Sequence, residues 1–86
     1  METKFDYELA KDLAETIAGL YHKMDTVYEV TGWEIYETFP DASMLYYVFL
    51  RMVGGVVCDH SGNSFDDYVD GKLTFDELLK EVGAIE

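Results

Sequence analysis

Residues 43–58 contain no carboxylate, although the chain holds 18 of them. Arg51 is the only charge in the run, and Met44, Leu45, Tyr46, Tyr47, Val48, Phe49, Leu50, Met52 and Val53 make it apolar on every side. Such a segment has to be covered, by the rest of the chain or by a partner. It is too short for a membrane span, which needs ~20 apolar residues, and Gly54 and Gly55 interrupt it. The segment therefore predicts a central helix over 44–57, around which the acidic remainder folds. A strand pair turning at Gly54 and Gly55 is the alternative that its aromatic and β-branched content allows.

The flanking sequence is helical in pattern. Leu9, Leu13, Ile17, Leu20, Tyr21, Met24 and Tyr28 recur at steps of three and four, predicting a long amphipathic helix from residue 6 to about residue 28 that stops at Thr31 and Gly32. Lys11 and Glu15 are spaced for an i,i+4 ion pair. Trp33, Tyr36 and Phe39 fall at steps of three, as in a loop or short turn whose rings cap a core. Pro40 suits the first turn of a new helix, with Asp41 as its N-cap. Residues 58–64 read as a polar loop, and 65–71 as one helical turn stopped by Gly71. Thr74 and Glu77 form a capping-box pattern, with Leu73 and Leu78 at the staple positions, so a last helix runs from about 75 to 82.

These elements predict a single all-α domain over 1–86: an antiparallel bundle of three main helices plus one short one. The expected core is Leu13, Ile17, Leu20, Leu45, Val48, Phe49, Met52, Leu78 and Val82. A chain this short buries only ~60–65% of its unfolded surface, so that core has to be used efficiently.

Charge removes several function classes. The net charge of −12 repels phosphate backbones and anionic lipid surfaces, so neither nucleic acid nor a membrane is an expected partner. Cys58 is the only cysteine, which forbids an internal disulfide and suits a cytoplasmic location. The first residues lack the basic-then-apolar order of a signal peptide. Cys58, Asp59 and His60 are consecutive and only His22 lies elsewhere, so no second ligand pair exists and no metal centre is expected.

The run Tyr36-Glu-Thr-Phe-Pro-Asp-Ala-Ser43-Met44 resembles the serine segment of acyl and peptidyl carrier proteins, although Ala42 stands where that family usually has Asp or His. The apolar stretch through Leu50 and Arg51 is similar to the family's second helix. Phe65-Asp-Asp-Tyr-Val resembles its short third helix, and Leu73-Thr-Phe-Asp-Glu-Leu-Leu its threonine-capped fourth. Leu13-Ala-Glu-Thr-Ile resembles the first, so the resemblance covers most of the chain in order.

It implies a free-standing carrier that catalyses nothing. Ser43 would hold phosphopantetheine, delivered from coenzyme A by a phosphopantetheinyl transferase, with Asp41 and Met44 flanking the attachment point. Tyr47 and Arg51 on the second helix would dock acyl- or aminoacyl-loading and tailoring enzymes. A phosphodiester at a helix N-terminus is favoured by free N–H groups and the helix dipole.

Two other readings stand beside this one. A small acidic inhibitor or immunity-type protein would cover a basic partner surface, using Trp33, Tyr46 or Tyr47 as anchors. A degenerate EF-hand over 66–77 would place Asp66, Asp70 and Glu77 at ligand positions, but Tyr68 removes one side-chain oxygen.

Overall fold

The computed structural model describes residues 5–56 and 59–85, and the expectations that rest on Cys58 lie outside them. All regular structure among the described residues is helical: α1 (Tyr7–Thr31), α2 (Ile35–Thr38), a 3-10 turn (Pro40–Met44), α3 (Tyr46–Val53), α4 (Asp59–Val69) and α5 (Phe75–Glu81). The all-α bundle is as the sequence predicts.

Helix α1 starts where Asp6 accepts the Leu9 N–H at 3.0 Å, and it ends at Gly32 in the left-handed region, φ 72°. Its 25 residues span about 37 Å at 1.5 Å per residue, most of the 45 Å long axis of the molecule. α1 packs against α3 and α4, and α5 closes on α4. The face that α1 buries is Ala10, Ala14, Ile17 and Tyr21. This corrects the expected stripe, because Leu9 and Leu20 are largely exposed and Leu13 is only half-buried. Two alanines let the neighbouring helices approach closely, and close approach outweighs the size of any one apolar side chain.

The 43–58 segment is less buried than its composition predicts. Phe49, Leu50 and Val53 enter the core, whereas Val48 is 57% exposed and Leu45 and Met52 are half-buried. The α-helix covers 46–53 rather than 44–57. Gly54 ends it at φ 70°, and the N–H groups of Gly54 and Gly55 both donate to the Leu50 carbonyl. The chain then crosses to α5, where the Val56 N–H donates to the Val82 carbonyl at 2.8 Å. An alanine Cβ at Gly55 would lie 3.1 Å from Leu50 Cδ2 and 3.2 Å from both Val82 Cγ2 and the Val82 carbonyl oxygen, so this crossing needs a glycine for space.

The expected polar loop at 58–64 is also corrected, since 59–69 is one helix of 11 residues. Ser61, Ser64, Phe65 and Tyr68 fall at helical spacing on its inward side, and both serines are buried. The Ser64 hydroxyl donates to the His60 carbonyl at 2.9 Å, and the Ser61 hydroxyl donates to the Val56 carbonyl. Small polar residues whose hydroxyls are satisfied by main chain can face a core. A hydrophobicity pattern alone misses that face.

Phe65 is the centre of the packing. Fully buried, it meets the rings of Tyr21, Tyr46, Phe49 and Tyr68, and Phe49 and Tyr68 in turn meet Phe75. These pairs are mostly tilted or edge-on, the arrangement that the ring quadrupoles favour. Helix α5 carries the expected capping box, with the Thr74 N–H donating to Glu77 Oε1 at 2.9 Å and the Glu77 N–H to Thr74 Oγ1 at 3.2 Å. Leu78, Leu79 and Val82 complete the core.

Candidate functional site

The 3-10 turn delivers Ser43 to the surface. Phe39 caps the turn and Pro40 is its first residue, where a missing N–H costs nothing. Asp41 therefore lies inside the first turn and does not cap it, which corrects the sequence expectation. The exposed Ser43 hydroxyl donates to the Pro40 carbonyl at 2.9 Å, holding the tight turn. The chain reaches α-helical hydrogen bonding only from Tyr46, so Ser43 precedes the α-helix by three residues and lies inside a 3-10 turn.

The junction between this turn and α3 is fixed from α1. The Tyr21 hydroxyl donates to the Ser43 carbonyl at 3.2 Å and accepts the Tyr46 N–H at 3.1 Å. Below the junction opens a groove of about 770 Å³ between α1, the turn, α3 and α4. Tyr21, Tyr36 and Tyr46 wall it with aromatic rings, and Asp25, Asp66 and Asp70 supply carboxylates. Among the described residues no lysine, arginine or histidine lines it. Asp66 lies on α4 and Asp70 just past its end, the Asp70 N–H donating to the Asp66 carbonyl at 2.9 Å, which sets both at the same wall.

Gly62 keeps the groove open. A Cβ there would sit 2.9 Å from the Tyr46 hydroxyl oxygen. The Tyr46 ring stacks on Phe65 at 5.7 Å and meets Tyr47 edge-on at 4.7 Å, so its position is set from the core side. His22 joins α1 to the end of α4, with Nε2 3.0 Å from the Val69 carbonyl oxygen.

The electrostatics of the groove are one-sided. Burial, then the charges of Asp70 and Asp67, raise the Asp66 carboxyl above its ordinary value. Burial also raises Tyr36, with Asp25, Asp66 and Glu34 adding to the effect. Tyr21 rises chiefly through burial, partly offset by its bond from the Tyr46 N–H. Tyr46 is pushed up to about 12 by burial, its hydrogen bond with Tyr47 and the surrounding negative charge. Asp66 contributes to the shift of all three phenols, so its charge is felt throughout the groove.

Of the residues singled out from the sequence, Ser43 and Tyr46 reach this groove, as do Tyr36, expected only to cap a core, and Asp66 and Asp70 from the EF-hand pattern. Asp41 and Met44 are exposed on the turn outside its lining; Arg51 is exposed and Tyr47 half-buried on α3. Trp33 is 46% exposed, its ring against Phe39 and its Nε1–H donating to Thr38 Oγ1 at 3.0 Å. The EF-hand pattern does not form a loop: α4 runs through Asp66, and Glu77 is held in the capping box. Among the described residues no group of three histidine, cysteine or carboxylate side chains could hold a metal ion. Tyr21, Asp25 and Gly62 were not legible as site residues, since only the packing of α1 against α4 brings them together, and Tyr36 joins them from α2.

Among the described residues the one ion pair joins His60 to Glu81, Nε2 to Oε2 at 3.0 Å. Lys11 and Glu15 do not form the pair that their spacing allows. No helix of the described residues is long and apolar enough to cross a membrane. Comparison of the chain with protein-family models, with curated proteins and with solved structures finds no match.

Proposed function

We propose that this chain is a binding protein with no catalysis of its own, which covers a basic surface of a protein partner. The observation that carries the reading is the uncompensated charge. There are 18 carboxylates against 6 lysines and arginines, and the single ion pair among the described residues uses a histidine. Charges left unpaired within a molecule are free to steer and hold a complementary partner. Exposed apolar side chains sit among them, including Trp33, Phe39 and Val48, and provide the anchors that such an interface needs.

The test is affinity capture from the source cells with mass-spectrometric identification, followed by measurement on the purified pair. The expected partner has a basic surface, binds with an affinity that falls steeply with salt, and loses at least about tenfold in Trp33→Ala or Tyr46→Ala, a loss of about 1.4 kcal/mol. A salt-independent complex indifferent to both substitutions would overturn the reading.

A second reading, the carrier protein, is favoured by Ser43, whose exposed hydroxyl lies just ahead of a helix with Val48 and Arg51 outward. Two features rank it below the first. The third main helix, α4, is longer than α3, at 11 residues against 8, reversing the proportions expected of the carrier family. Asp41 on the turn and Asp25, Asp66 and Asp70 in the groove would also meet a phosphodiester at Ser43 with like charge. Incubation with coenzyme A, magnesium and a broad-specificity phosphopantetheinyl transferase separates the two. A mass gain of one phosphopantetheine, lost in Ser43→Ala, would establish the carrier.

A further inference from the structure

We infer that the groove between α1, α3 and α4 is a receptor for a short arginine-bearing segment of the partner, an inference that rests on the acidic-partner reading above. The groove's volume, about 770 Å³, lies within the ordinary range of ligand pockets and exceeds what one side chain fills. Its walls match a guanidinium in two ways. Tyr21, Tyr36 and Tyr46 put aromatic side chains into the lining, the surface on which a planar cation stacks, and Asp25, Asp66 and Asp70 offer acceptors for its five N–H donors.

Among the described residues nothing fills that role: the lining carries no cationic side chain, and no lysine or arginine is ion-paired to Asp25, Asp66 or Asp70. Asp66 instead lies within the field of Asp70, and the Tyr36 phenol within those of Asp25 and Asp66, an excess of negative charge that a cation would offset. Shape is set independently of charge: Gly62 leaves the space beside the Tyr46 hydroxyl that any larger residue would occupy. An ammonium would gain the charge attraction but not the planar stacking, so arginine is the residue this groove selects.

The experiment titrates the full chain with blocked tri-arginine, tri-lysine and tri-citrulline peptides, following backbone amide shifts by NMR. Tri-arginine should bind saturably, one to one, moving the amides of Tyr36, Gly62, Asn63 and Asp66. Tri-lysine should bind severalfold more weakly, and tri-citrulline, the neutral isostere, should not bind. The double variant Asp66→Asn with Asp70→Asn should lose about tenfold or more, and Asp12→Asn with Glu29→Asn, the same charge change outside the groove, should lose less than twofold. Gly62→Ala changes shape and not charge, and it should also weaken binding. Shifts scattered over the acidic surface, or equal losses in the two double variants, would overturn the groove while leaving the acidic-partner reading standing. A captured partner without a basic surface would instead remove the reading on which the inference rests.

Discussion

The phenol of Tyr21 on α1 donates to the main-chain carbonyl of Ser43, 3.2 Å away and 22 residues further along the chain. The same oxygen accepts the Tyr46 N–H at 3.1 Å, so one side chain satisfies both sides of the break between the 3-10 turn and α3. Tyr21→Phe keeps the ring against Phe65 and removes only this clamp. The loss of two partly buried hydrogen bonds should cost about 1–2 kcal/mol in urea unfolding. Hydrogen exchange at the Tyr46 amide should quicken, while that of the core amides of α5 follows only the global change. An unchanged Tyr46 amide would show that the clamp does not hold the junction.

Gly54 and Gly55 are adjacent but are needed for different reasons. Gly54 has open space around its Cβ position but lies at φ 70°, so Gly54→Ala should cost about 1 kcal/mol in backbone strain. Gly55 is pressed between Leu50 and the Val82 main chain, and Gly55→Ala should cost about 1–3 kcal/mol by overpacking. Chemical denaturation distinguishes the two mechanisms with a compensating change. Val82→Ala combined with Gly55→Ala should be less destabilising than the sum of the two singles, because it removes Cγ2 from the crowded contact. Strict additivity would contradict the steric account.

What the sequence made legible was the helical content and some of the places where helices stop. Gly32 ends α1 by geometry that only the local chain dictates, and the Thr74 and Glu77 capping box is likewise local, whereas the stop at Gly54 comes ahead of the expected end at residue 57. Helix faces were harder to read. Ala10 and Ala14 are fully buried and Leu9 is 55% exposed, because helix packing rewards close approach, which single-chain hydrophobicity does not measure. Helix α4 was missed at its start because Ser61 and Ser64 carry the inward face with hydroxyls satisfied by main-chain carbonyls. The groove was the least legible feature. Asp25 and Asp66 are 41 positions apart, and nothing local marks them as neighbours across one cavity.

Tyr46 should be the last tyrosine to ionise. Its phenol is pushed up to about 12 from an ordinary 10.0, with burial first among the causes. A folded-state value above the unfolded one means that the protonated phenol favours the fold. That contribution is complete below about pH 10 and is lost as pH rises towards 12. An absorbance titration of the 7 tyrosines should therefore show a final component near 12 that disappears in Tyr46→Phe. Survival of that component in the variant would assign it to a different ring.

The same sign argument gives Asp66 an opposite role to that of most surface carboxylates. Its folded-state value lies above 3.8, raised by burial and by Asp70 and Asp67, so the fold holds the proton more tightly than the unfolded chain does. Stability attributable to this group is present at low pH and falls as pH rises from 3.8 through the raised folded value. At neutral pH the ionised Asp66 therefore opposes folding, and Asp66→Asn should stabilise. Much of the side chain is exposed, so solvent screening limits the gain to about 0.5 kcal/mol or less. The advantage should shrink as the pH is lowered through the titration of Asp66, and it should also shrink in 1 M salt, where the Debye length is about 3 Å. Thermal unfolding of the two proteins across that pH range decides it. A destabilised Asp66→Asn at neutral pH would mean that the carboxylate makes a favourable contact outweighing the repulsion from Asp70 and Asp67.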